Sequence, residues 1–245
     1  MAVTVDIKAL LEAGVHFGHK TSRWHPKMAP YIHSKRQENH IIDLTKTVEG
    51  LNVALPVITE TVAKGKQILF VGTKRQAKDI VKTAAVEAGQ PYVTERWLGG
   101  ALTNAATVNG QIKHLKSLER KMESGELDNR YSKLEVQRFQ EEIDDLEVKY
   151  GGIKHMNGKP GIVFVTDILT DANAVREANK LDIPVVAIVD TNANPENIDY
   201  VIPGNDDAIK GIQLILDYVK QAVSEGAVQK KNTAEAPAPT EKKGE

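Results

Sequence analysis

The sequence contains no cysteine. That excludes disulfides and thiolate zinc sites and suits a reducing compartment. No apolar run approaches the roughly 18 residues that a membrane-spanning helix needs. The opening MAVTVDIKALLEAG has no basic leader and carries Asp6 and Glu12, so it does not read as a signal peptide. Neither GxxxxGK[ST] nor GxGxxG follows any apolar run, so the usual nucleotide-binding fingerprints are missing. There is no cysteine nucleophile and no Ser/His/Asp set to suggest covalent catalysis. Net charge is close to zero, at −1 over 245 residues.

That balance hides an asymmetry. Residues 1–100 hold 14 Lys/Arg and 9 Asp/Glu, a balance of 14 − 9 = +5, and residues 101–245 hold 18 and 24, a balance of 18 − 24 = −6. A basic half joined to an acidic half points to a polyanionic partner for the first. The cations concentrate in residues 14–36, GVHFGHKTSRWHPKMAPYIHSKR. Lys20, Arg23, Lys27, Lys35 and Arg36 occur there with no intervening acid, and Trp24 and Tyr31 lie among them. Basic groups hold phosphates and flat aromatics stack on unpaired bases, so this loop-like stretch reads as an RNA contact with Trp24 and His25 inside it. Five of the seven histidines fall here or just after. His16 and His19 are the candidates for a metal, but no acid pair stands near them in sequence, so none is expected to bind.

The apolar run Ile68–Val71 reads as a buried parallel strand, with Gly72 as the turn off its end. The helix that follows is read as presenting Lys74, Lys78 and Lys82 at four-residue spacing with Arg75 beside them, a face suited to phosphate. In RWLGGALTN, Arg96 reads as a phosphate contact, Trp97 as packed or stacked, and Gly99 and Gly100 as a turn. Further strands are expected at 92–94, 162–165, 184–189 and 200–202, with helices to residue 13, over 45–63 with a kink at Pro56, to 180, and after Asn205-Asp206-Asp207. Five β segments alternating with helices predict an open, doubly wound parallel sheet, a three-layer α/β fold. Residues 107–150 carry two narrow 3/4-spaced apolar seams and read as an antiparallel helical hairpin. Residues 227–245 read as a disordered tail. The expected organisation is an N-terminal extension over 1–44, an α/β domain over 45–106 and 151–226, the hairpin over 107–150, and the tail.

Several long motifs occur in order: LLEAGVHFGH, RWHPKMAPYI, HIIDL, ILFVGTKRQA, RWLGGALTN, GGIKHM and DTNANPENIDYVIPGNDDA. Together they resemble the bacterial small-subunit ribosomal protein S2 family over nearly all of residues 5–225. The resemblance implies a flavodoxin-like domain with an inserted coiled-coil hairpin. It implies a cytoplasmic structural protein of the small subunit with no cofactor, no membrane contact and no homo-oligomer. Its expected partners are 16S rRNA, neighbouring ribosomal proteins and, in many bacteria, the multi-domain ribosomal protein that recruits messenger RNA. Arg23, Lys27, Lys74, Arg75 and Arg96 occupy the matched basic positions. Ala105-Ala106 departs from the family's usual bulky-then-basic pair, which argues against a contact there. Two rival readings are a flavodoxin-like enzyme using phosphate and Mg²⁺ at Gly72–Lys74, Thr166, Asp167, Asp190 and Asn192, and a pure protein-interaction scaffold.

Overall fold

The computed structural model describes residues 4–235. Helix α1 (Ile7–Glu12) is capped by Asp6, which accepts from the Lys8 N–H. Residues 14–36, expected as loop, instead build most of a small antiparallel sheet. Strands β1 (Phe17–Lys20), β2 (Ile32–Arg36) and β3 (Asn39–Ile42) lie in the order β1-β3-β2. The β2–β3 turn places Gln37 and Glu38 at φ 48° and 64°. That is the two-residue hairpin connection usually announced by Asn-Gly, and Gln-Glu gives no such signal.

Helix α2 (Leu44–Ala63) is capped by Asp43 and buries Leu51, Leu55, Ile58 and Val62. It runs through Pro56 as one element, with the proline on its exposed side. The main sheet follows. Strand β4 (Ile68–Val71) leads through helix α3 (Lys78–Glu87) to β5 (Tyr92–Val93). Helices α4 (Ala105–Glu123), α5 (Glu126–Arg130) and α6 (Lys133–Tyr150) come next. Strand β6 (Ile162–Val165), helix α7 (Ala172–Lys180), β7 (Val185–Val189), β8 (Tyr200–Pro203) and helix α8 (Ile209–Glu235) complete the described chain.

The five main strands are parallel in the order β5-β4-β6-β7-β8, as the alternating pattern predicts. Successive residues point to opposite faces. Ile68, Phe70, Ile162, Phe164, Val186, Ile188 and Ile202 pack beneath α2, α3 and α8. Leu69, Val71, Val163, Val165, Val185, Ala187 and Val189 face α7, Trp97, Met28 and the start of α4. Both faces are covered, which is why these strands read as unbroken apolar runs.

Both sheet edges are closed by a close approach at glycine. At β5, the carbonyls of Pro91 and Val93 accept from β4, so that of Tyr92 faces outward. Gly152 lies against it, and a Cβ there would sit 2.2 Å from that oxygen. At β8, a Cβ on Gly50 of α2 would sit 2.4 Å from the Val201 carbonyl. Gly152→Ala is expected to cost about 2–3 kcal/mol through this overlap, read as a lower thermal midpoint. An unchanged midpoint would mean that the chain after α6 is free to move off the edge.

Helices α4 and α6 pack together as expected, through buried Leu115, Leu118, Ile143 and Leu146 with Met122, Phe139 and Tyr150 beside them. Asp128-Asn129, a pair that commonly marks a turn, lies inside α5, and Leu134 near the start of α6 is exposed and outside the seam. Ile209 at the start of α8 is exposed as well. Helix α8 continues past Gly226 to Glu235, so the expected tail begins as helix. Residues 227–235, AVQKKNTAE, contain neither proline nor glycine to stop it, and 236–245 lie outside the described residues. Gly226 is not a stop signal: a Cβ there would meet the Thr59 carbonyl of α2 at 2.5 Å.

Candidate functional site

In a parallel sheet every strand delivers its following loop to the same end. Here those loops are 72–77, 94–104, 166–171, 190–199 and 204–208. The small antiparallel sheet is tied to this end. The His19 N–H donates to Thr191 Oγ1 at 2.9 Å, the His25 N–H to the Thr191 carbonyl at 2.7 Å, and the Asn205 N–H to the Val15 carbonyl at 3.0 Å. The basic N-terminal segment therefore reaches the loops of β7 and β8, far from it in sequence.

Lys74 is where the reading of the sequence changes most. Helix α3 begins only at Lys78, so Lys74, Lys78 and Lys82 do not form a helical stripe. Lys74 sits in the turn before it, and its ammonium lies 2.8 Å from Asp206, 2.7 Å from Asp207 and 3.4 Å from Asp167. Burial opposes its charge, but hydrogen bonds to Asp206 and Asp207 and the field of Asp167 override it and raise its pKa. Asp206 is pushed up to about 6 by burial and by the neighbouring Asp167 and Asp190 carboxylates, against the pull of Lys74. Asp167 caps its own loop, accepting from the Leu169 and Thr170 N–H groups and the Thr170 hydroxyl. Asp171, at the N-cap position of α7, gives that helix no side-chain cap and instead accepts from the Thr73 N–H at 3.1 Å and hydroxyl at 2.7 Å.

His19 joins this cluster. Its Nδ1 is 3.1 Å from Asp190 and its Nε2 3.5 Å from Asp207, and contact with Asp190 raises its pKa against the effect of burial. Ligand atoms of His19, Asp206 and Asp207 all lie within 4.8 Å of one another, a spacing that could hold a divalent cation. The acids that seemed missing near His19 come from the β8 loop, almost 190 residues away by the chain numbering. His16 does not join them; it packs on Phe17 with ring centroids 4.0 Å apart, and burial lowers its pKa.

Of the other residues read as RNA contacts, Lys20, Arg23, Lys35, Arg36, Arg75 and Arg96 are exposed and form no ion pair among the described residues. Three have local roles instead. Lys27 pairs with Glu196, Lys78 with Glu95 at 3.1 Å, and His25 Nδ1 accepts from the Lys27 N–H. Trp24 is 38% exposed and leans on the buried His40 ring, with centroids 5.2 Å apart.

Two glycine readings also change. Gly72 has no left-handed backbone; it is needed because a Cβ would strike Val81 at 2.7 Å and Thr166 at 2.8 Å. In the RWLGG loop only Gly100 needs glycine, at φ 87°, whereas Gly99 faces open space. The loop is held by a residue that no local pattern marks. The Glu177 carboxylate on α7 accepts from the Trp97 indole at 3.1 Å, from the N–H groups of Gly100, Leu102 and Thr103 at 2.7, 3.0 and 3.1 Å, and from the Thr103 hydroxyl. Burial works against its charge, but these bonds lower its pKa. Trp97 is thus packed and hydrogen-bonded, not free to stack.

The profile of the family described as Ribosomal protein S2 matches residues 10–226. The chain belongs to the ribosomal protein S2 family. Among curated relatives, small ribosomal subunit protein uS2 of Roseiflexus sp. (strain RS-1) is 51% identical over 91% of this chain and 84% of its own length. The protein of that name from Chloroflexus aggregans is 49% identical over 94% of this chain and 97% of its own, and that from Rickettsia rickettsii 50% identical over 91% and 76%. The S2-family match spans the small antiparallel sheet, the main sheet and the helical hairpin in one continuous range.

Proposed function

We propose that this chain is a structural component of the small ribosomal subunit, binding 16S rRNA and neighbouring ribosomal proteins through the basic end of its sheet. The observation that carries the reading is the family match, joined to a set of exposed cations with no partner among the described residues: Lys20, Arg23, Lys35, Arg36, Arg75 and Arg96. Cations that have no acid beside them keep their full charge for phosphate. Lys74, by contrast, is a structural cation in this reading, and Lys27 and Lys78 contribute at most after breaking a surface pair.

The enzyme reading lacks free groups for a phosphate: the Thr73 N–H and hydroxyl are taken by Asp171, and the Lys74 ammonium is taken by Asp206 and Asp207.

The test is binding of the purified protein to small subunits stripped of it, across a salt series. Lys35→Glu with Arg36→Glu is expected to weaken binding about tenfold or more and to make the log–log salt slope shallower by about 1.5. Both residues are exposed, so circular dichroism should stay native. Wild-type binding that is indifferent to salt would sink the RNA reading.

A further inference from the structure

Two asparagines in the sequence stand directly before a glycine, Asn109 and Asn157. That pair is chemically labile. Glycine leaves its own backbone nitrogen unshielded and free to swing toward the preceding side-chain amide. The fold treats the two sites in opposite ways.

Asn109 and Gly110 lie within helix α4. There each N–H is held by the carbonyl four residues back, and the helical backbone keeps the nitrogen turned from the side chain before it. Asn157 and Gly158 lie between α6 and β6, outside any helix or strand, and both are exposed. The Asn157 N–H donates to Gln67 Oε1 at 2.7 Å, and the Gly161 N–H donates to the Gln67 carbonyl at 2.8 Å. Gln67 thus pins the chain on either side of the pair, and Pro160 is buried beside the second pin. Between the pins Gly158 has φ 75°, with nothing within 4 Å of where a Cβ would be. Among the described residues, neither the Gly158 N–H nor the Asn157 side-chain amide has a hydrogen-bond partner. The attacking nitrogen and the carbon it would attack are both unencumbered in the folded chain.

We infer that Asn157 and Gly158 form a self-modification site, at which the folded protein converts Asn157 to isoaspartate and aspartate with water as the co-reactant. A solvent base takes the Gly158 amide proton as that nitrogen attacks Asn157 Cγ. The N–Cγ bond forms, the Cγ–Nδ2 bond breaks, and ammonia leaves with a proton returned by solvent. A cyclic succinimide remains, and water opens it. Breaking the new N–Cγ bond gives aspartate in an unaltered chain. Breaking the bond from the same nitrogen to the Asn157 carbonyl carbon reroutes the chain through the side chain as isoaspartate. Either product adds a negative charge. The loop leads into β6, so that charge falls at the end of the main sheet opposite the loops that carry Arg75 and Arg96. The site does not depend on the ribosomal reading.

The test ages the purified full-length chain at mildly alkaline pH beside a linear peptide of sequence HMNGKP. Peptide mapping by mass spectrometry should find the acid form at position 157, faster as pH rises. The rate should exceed that at Asn109 by about tenfold or more, because α4 must open locally before Gly110 can react. An isoaspartyl methyltransferase with labelled S-adenosylmethionine should mark the aged wild type and mark Asn157→Gln far less, since the longer side chain closes such a ring slowly. Gly158→Ala should also slow conversion, but a left-handed φ strains any side chain there, so the glutamine variant is the deciding control. Folded Asn157 that stays an amide while the peptide converts overturns the proposal. So does conversion no faster than at Asn109, or label undiminished in Asn157→Gln.

Discussion

Lys74→Met lowers stability at neutral pH by about 3–5 kcal/mol, because it leaves Asp206 and its neighbours buried without their cation. Methionine keeps the length and the apolar stem, so the lost charge is what is measured. The effect should depend on pH in a fixed direction. Asp206 titrates at about 6 in the folded chain, above its ordinary 3.8. A raised carboxyl binds its proton more tightly folded than unfolded, so its contribution is fully present below the unfolded value and is lost as pH rises through the folded one. Without Lys74 the folded value rises further. The variant should therefore be closest to wild type near pH 4–5 and fall behind it through pH 6–7.5, in thermal melts at matched ionic strength. A deficit that does not change with pH would mean that Lys74 acts through packing alone.

The second large effect is expected at Glu177. Glu177→Ala removes the acceptor of five hydrogen bonds, two from backbone groups of the half-buried loop segment at Gly100 and Leu102. Buried donors left without partners cost about 1–3 kcal/mol each, and relaxation of the exposed Thr103 end limits the total to about 3 kcal/mol. For a chain of this size that corresponds to a fall in midpoint of roughly 6–12 °C. Glu177→Gln is nearly isosteric but replaces one acceptor oxygen by a donor, facing the N–H groups of Gly100 or those of Leu102 and Thr103. It should recover less than half of the loss. Full recovery by glutamine would show that packing, not the carboxylate, holds the RWLGG loop.

These two residues also mark where the sequence stops being readable. The main sheet was legible because Ile68–Val71, Ile162–Val165 and Val185–Val189 are covered on both faces, and double burial writes itself as an unbroken apolar run. The helical hairpin was legible through its 3/4 spacing. Lys74 was not, because its acids lie roughly 93 to 133 positions further on, and no local pattern records them. Glu177 looks like any charged helical residue until α7 is set beside the loop after β5. The N-terminal sheet was missed for a different reason. Its strands are short and rich in His, Lys and Arg, and β2 is exposed over most of its length, so the usual alternation is absent. Of the cations in that stretch, the sequence could not say which were already paired.

The closed edges of the main sheet bear on how the free chain behaves before it finds a partner. With Gly152 against β5 and Gly50 against β8, an incoming strand finds no free ladder on the larger sheet. Open backbone is left to the small sheet, and β2, one of its two outer strands, ends in Lys35 and Arg36. Charged side chains on an edge strand discourage self-pairing. The same two cations thus serve twice: as gatekeepers that keep newly made chains apart, and then as groups that a polyanion neutralises. Neutralising them by substitution should raise the tendency of the unassembled protein to aggregate as well as weaken its binding.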